Sequence, residues 1–194
     1  VEIVMRTSIA YHPIEAEAFN CFALKLGMIF EHYFRALRER IVGLAERDGM
    51  LPPTFWTNEQ ETLSCQLSGL YEAGLRLGME FESSPHATTH TLISLNSQVQ
   101  RTVHDLAQET AEEVTATKAR QVDELLHMGV NPQGLPDRLR HELRAGIVSD
   151  SDAAQIAAQQ AIRVVAAGRL LARRTPKTSE WLVEAETHPK RVCI

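Results

Sequence analysis

Apolar positions recur at three- and four-residue steps along most of the chain, the spacing of one face of an α-helix. Phe19, Phe22, Leu26, Ile29, Phe30, Tyr33, Phe34, Leu37, Ile41 and Leu44 fall on a single stripe. Pro13 suits the first turn of that helix, where a missing N–H costs nothing. Asp48-Gly49 stops it, and Leu51-Pro52-Pro53 makes a stiff connection. Thr57-Asn58-Glu59-Gln60 then reads as a capping box for a second helix, with Leu63, Leu67, Leu70 and Leu77 on one face. Gly69, Gly74 and Gly78 each weaken that helix by roughly 1 kcal/mol relative to Ala. The pattern therefore predicts another backbone packed closely against them. Ser83-Ser84-Pro85 ends the segment.

A third helix, predicted to be the longest, runs from Thr88-Thr89 to His127 or Met128. Leu92, Leu95, Val99, Val103, Leu106, Val114, Val122, Leu125 and Leu126 supply its apolar positions. Between Ala107 and Ala119 large apolar residues are scarce, so this stretch is either partly exposed or interrupted near Thr110. Gly129 to Gly134 is a turn. A short helix follows, with Pro136 at its start, Leu139 and Leu143 inward, and Gly146 at its close. Ser149-Asp150-Ser151-Asp152 offers N-caps for an Ala-rich fifth helix through Leu171. Beyond Thr175-Pro176, Glu180–Ala185 and Arg191–Ile194 read as two short strands turning at Thr187-His188-Pro189. The expected fold is mainly α: long amphipathic helices in an extended bundle with a small C-terminal β-hairpin. Three parts are expected: a helical pair over 1–82, a helical domain over 86–174, and the start of a β-containing segment over 175–194.

Composition changes little in this picture. The 194 residues are 44% hydrophobic and 6% aromatic, enough for one domain. No apolar run approaches the roughly 20 residues of a membrane span. The chain opens at Val1 and stops just after Cys193, which suggests a piece of something longer. Cys21, Cys65 and Cys193 cannot all pair with one another, so reduced thiols in a cytoplasmic setting are expected, the first two buried.

Charge is more informative. Residues 1–162 carry 13 Lys and Arg against 22 Asp and Glu, whereas residues 163–194 carry 7 against 3. Arg163, Arg169, Arg173, Arg174 and Lys177 thus form a candidate cationic face for DNA phosphates or for an acidic protein surface. A helix C-terminus suited to its dipole explains Arg173 and Arg174 equally well.

Catalytic chemistry is not expected. His86 and His90 are four apart, but no glutamate follows His86 and Ser83-Ser84-Pro85 suggests loop geometry there; Ala145 stands where a zinc-protease pattern following His141-Glu142 needs its second histidine. No Gly-x-Ser-x-Gly elbow occurs, and Glu112-Glu113 and Asp123-Glu124 diverge on a helix surface. No cofactor or metal is expected. Cys193, preceded by Lys190 and Arg191, has the one context that favours a thiolate.

From residue 68 onward the order of elements resembles the phage minor head (head morphogenesis) proteins, of the phage Mu F-like kind. Leu70-Tyr71-Glu72-Ala73-Gly74 is similar to the family's Tyr-x-x-Gly segment. Val122–Val130, the Gly/Pro turn, Leu135–Leu143 and the Ala-rich stretch Ala153–Ala172 follow in the family's order. Trp181-Leu182 and Arg191-Val192-Cys193 match its tryptophan and Val-Cys strands. The family's Ala-Arg-Thr-Glu signature reads Ala157-Ala158-Gln159-Gln160 here, and His188-Pro189 replaces an acidic residue before Val-Cys. The resemblance implies a structural virion component at the portal vertex inside the head, present in multiple copies of a larger assembly. It further implies portal protein and double-stranded DNA as partners, and host cytoplasm as the site of assembly. Docking is expected through Phe22, Phe30, Phe34, Leu37 and Trp181. The rival expectation is a cytoplasmic helical adaptor that self-associates through the first-helix stripe, if that stripe is exposed.

Overall fold

The computed structural model describes residues 13–82, 89–127 and 135–174, and every regular element within them is helical. The first, α1 (Pro13–Asp48), is 36 residues long, about 54 Å. Gly49 stops it in the left-handed region, at φ 72°, and its N–H closes on the Ala45 carbonyl at 3.1 Å.

Helix α2 (Phe55–Glu80) begins two residues before the predicted box, with Thr54 at the N-cap making no side-chain bond. The box does not form because the helix already starts at Phe55, which puts Thr57 inside it and not at its N-cap, while Glu59 reaches back toward α1. It accepts two bonds from Arg40 of α1, at 2.7 and 2.6 Å. This bidentate guanidinium–carboxylate pair ties the start of α2 to α1.

Helix α3 (Thr89–His127) runs unbroken through Thr110 for 39 residues. Its stretch poor in large apolar residues is buried along one side by Ala107, Thr110, Ala111, Thr115 and Lys118. These small or hydrogen-bonded groups allow close approach to α2. Helix α4 (Leu135–Glu142) passes into a five-residue π-helical turn, Leu143–Ile147. The turn carries past Gly146 and ends at Val148, whose N–H bonds the Leu143 carbonyl at 2.9 Å. Helix α5 (Asp150–Arg174) starts at Ser149, whose hydroxyl accepts the Asp152 N–H at 3.2 Å, the cap the sequence predicts.

Side-chain pairings give the helix directions. Arg40 meets Glu59, Arg76 meets Asn96, Lys118 meets Asp152 and Arg169 meets Glu15. The four long helices therefore run up, down, up and down, with α4 and its π turn linking the last two. One apolar core joins all of them, from Phe30, Phe34 and Leu37 through Leu67 and Leu75 to Val122, Leu139 and Val164. The boundary expected between residues 82 and 86 falls outside the described residues. The expected hairpin over 180–194 lies outside the described residues.

The tightest approach is between the parallel helices α2 and α5. A Cβ added at Gly78 would lie 2.1 Å from the Val165 carbonyl oxygen, and one at Gly168 would lie 2.1 Å from that of Leu75. At Gly74 it would strike the Phe22 ring at 2.3 Å and Val164 at 2.8 Å. Two of the three predicted glycines therefore admit a neighbouring backbone or ring. Gly69 does not, since nothing lies within 4 Å of its missing Cβ.

Cys21 and Cys65, expected to be buried, are exposed. Cys21 sits one position, or 100° of helix rotation, before the buried Phe22, and Cys65 stands two positions from both Leu63 and Leu67.

Gly78→Ala should destabilise the fold by about 2–3 kcal/mol, because two backbones must separate. Gly69→Ala should stabilise it by about 1 kcal/mol through helix propensity alone. Urea midpoints of the two variants should move in opposite directions, and a shift of the same sign would refute the backbone contact.

Candidate functional site

The cationic face expected on α5 is placed against carboxylates of the chain itself. The Arg163 guanidinium lies 2.6 Å from Glu109 and 3.7 Å from Glu113 of α3. Arg169 donates to Glu15 of α1 at 3.3 Å and stacks over the Phe81 ring, 5.1 Å from its centre. Arg173 donates to Glu82, just beyond α2, at 2.7 Å, and this bond holds the Glu82 carboxyl below its usual range. Successive arginines of one helix thus reach three different segments. The structure brings them together as ties, each facing an anion. Arg174 closes α5 with its side chain outside the described residues, as are Lys177 and Trp181.

The apolar docking set is corrected by burial. Phe22 is 5% exposed, and Phe30, Phe34 and Leu37 are fully enclosed. The first-helix stripe faces α2, α4 and α5, and it supplies the core of this chain. A self-associating adaptor built on that stripe has no exposed stripe to use.

Polar groups that the pattern did not single out form three buried clusters. Lys118, at 5% side-chain exposure, donates to Asp152 at 2.6 Å and lies over the Phe34 ring. Its stem crosses apolar surface that the neighbouring small residues leave open. Glu59 and Arg40 form the second cluster, with Tyr33 buried beside them; burial, reinforced by the Glu59 charge, holds the Tyr33 hydroxyl well above its usual value. In the third, the Tyr71 hydroxyl lies 3.1 Å from Thr110 Oγ1 and 3.3 Å from Gln160 Oε1, and Thr110 donates to Gln160 at 3.0 Å. Burial pushes the Tyr71 hydroxyl up to about 12, so it remains a donor. Each cluster joins different helices, and Lys118–Asp152 and Tyr71–Thr110–Gln160 do so through matched donors and acceptors, which fixes helix register.

Two open grooves lie on the surface. One, of about 530 Å³, runs between α1 and α2 and is lined by Lys25, Met28, Ile29, His32, Gln66 and Leu70. The other, of about 360 Å³, runs along α1 beside α4, with Arg38, Glu39, Glu46, Arg140 and Arg144. In the second, Arg140 pairs with Glu46, while Arg38 donates to the Val148 carbonyl at 2.6 Å. The first groove is apolar in its walls and open to solvent. The hydrophobic pattern alone does not disclose it, because Met28, Lys25, His32 and Gln66 lie outside the predicted apolar faces. Among the described residues, no three or more His, Cys, Asp and Glu side chains are grouped to hold a metal. No described helix is long and apolar enough to cross a membrane. Compared with protein-family models, curated proteins and solved structures, the chain matches none.

Removing Asp152 should strand the buried Lys118 charge, so Asp152→Ala should lower stability by about 2–4 kcal/mol, whereas Lys118→Met should be nearly neutral. Urea unfolding checks this, and equal losses in both variants would refute it. Alkaline stability depends on two buried tyrosines, Tyr33 and Tyr71, both raised by burial. Tyr71 ionises near 10 unfolded and near 12 folded, so the stability it contributes below pH 10 is lost as pH rises to about 12. Tyr71→Phe should lessen the decline of urea midpoints across that range and leave the part that Tyr33 contributes.

Proposed function

We propose that this chain is a non-catalytic structural protein of a tailed-phage head, docking on the portal protein at the inner vertex. The observation that carries the reading is the order and packing of α2 to α5. A Tyr-x-x-Gly helix, a long helix, a short helix and an Ala-rich helix follow one another as the resemblance to minor head proteins implies, and they pack into one core. The proposed role belongs inside the head, with assembly in the host cytoplasm.

The site geometry favours a protein partner over DNA. A cation already facing a carboxylate adds little to counterion release on DNA, and Arg163, Arg169 and Arg173 all face one. The exposed surface of α3 presents Asp105, Glu109, Glu112, Glu113, Asp123 and Glu124 against Arg101 and Arg120, which repels phosphates. Direct DNA contact within this proposal falls to Arg174 and Lys177.

Two measurements test the proposal. Mass spectrometry of purified particles should find the chain in multiple copies, and it should bind isolated portal rings of the same phage. In parallel, Arg169→Glu with Arg173→Glu should lower the melting temperature and leave double-stranded DNA binding unchanged. Absence from particles or failure to bind the portal would overturn the docking role. A loss of DNA affinity with melting intact would restore DNA as the partner of α5.

A further inference from the structure

The outward side of α1 carries a second periodic pattern, separate from the buried stripe. Glu17, Cys21, Leu24, Met28, Glu31 and Arg35 follow at steps of four, three, four, three and four, the heptad spacing of a helix–helix seam. All six are exposed, with Leu24 at 70% and Met28 at 69%. These two are the only large apolar side chains of the described residues that are exposed as neighbours on one helix face.

The order along this seam is self-complementary when the helix is reversed. A two-fold axis midway between Leu24 and Met28 sets Leu24 of one copy against Met28 of the other. It sets Cys21 against Glu31 and, at both ends, Glu17 against Arg35. The seam then has an apolar centre flanked by two opposite-charge pairs, over about 27 Å of helix. A parallel pairing would instead place Glu17 on Glu17 and Arg35 on Arg35. Lys25 flanks the seam on the α2 side, and its exposed ammonium can stay in water while its stem covers apolar surface. Beside it the groove walled by Met28, Ile29 and Leu70 widens the apolar area.

We propose that two copies of this chain dimerise through an antiparallel α1–α1 contact centred between Leu24 and Met28, an isologous interface held in register by reciprocal Glu17–Arg35 pairs. The proposal is independent of the portal reading, since it concerns a face that the intrachain core leaves uncovered.

Sedimentation velocity of the 194-residue chain from about 1 μM to about 500 μM should show a concentration-dependent dimer. Met28→Lys and Leu24→Lys should each leave a monomer with unchanged helical circular dichroism, because both positions face solvent. Glu17→Arg or Arg35→Glu alone should weaken the dimer about tenfold, and both together should restore it, since the pairs re-form with signs exchanged. Register has its own readout. With Cys65 and Cys193 replaced by serine, Glu31→Cys should give an intermolecular disulfide to native Cys21 on oxidation. Four results would each overturn the proposal: a monomer at every concentration, a dimer that tolerates Met28→Lys, a double charge swap as weak as the singles, or no crosslink from Cys21 to the thiol introduced by Glu31→Cys.

Discussion

The contact on which the rest of the bundle depends is the glycine crossing of α2 and α5. Parallel helices that lie diagonally in an up-down-up-down bundle ordinarily keep side chains between them. Here Gly78 sits on the Val165 carbonyl and Gly168 on that of Leu75, so the backbones themselves form the centre. Close approach increases dispersion contact per residue and leaves room for only small groups nearby. Small buried residues continue away from the crossing, Ala153, Ala157 and Ala161 on α5 and Ala107 and Ala111 on α3, with Ala157 facing Gly27 of α1. Large rings stand beside the crossing, Phe22 of α1 against Gly74 and Phe81 against Arg169.

A close-packed centre resists sliding only weakly, because alanines and glycines offer shallow ridges. Register is set instead by the polar clusters around it. Tyr71, Thr110 and Gln160 hold α2, α3 and α5 at one level. Lys118 with Asp152, and Arg40 with Glu59, hold two further levels. The arginines of α5 extend the same logic to the surface, where each exposed pair contributes little and the set together defines one arrangement. Arg163, Arg169 and Arg173 of α5 complement carboxylates of the acidic body, which accounts for their share of the uneven charge within the chain itself.

Much of this was legible in the residues. The limits of α1, the length of α3 and the Ser149 cap follow from spacing and turn chemistry alone, because each is decided within a few residues of the chain. What escaped is what depends on distant partners. Thr57–Gln60 reads as a capping box, and nothing near Glu59 in the chain discloses its pairing with Arg40, 19 positions away, at 2.7 Å. Arg169 reads as free charge until Glu15, 154 positions away, faces it. Gly69 and Gly78 are alike in a helical pattern, and only the direction from which α5 arrives tells them apart. The stripe of α1 shows that the helix is amphipathic, yet burial of Phe30 and Phe34 within the same chain needs three other helices in place. The misplaced docking set arises from that.

The unequal helix lengths explain why α4 and the π turn exist. At 36 residues α1 is ten longer than α2, so its C-terminal turns would stand uncovered. Helix α4 and the turn fill that space, with Arg140 pairing to Glu46 and Leu139 and Leu143 entering the core. The wider π turn also redirects the chain at Val148, where Arg38 takes the carbonyl that helix termination leaves open and reaches Asp150 as well. That grip fixes the first residue of α5 on α1, about 27 Å of helix before Gly168. A start displaced by one residue would rotate α5 by about 100° and turn Gly168 away from Leu75. The anchor at Arg38 and the glycine crossing therefore constrain one another, and each is specific only because the other is in place.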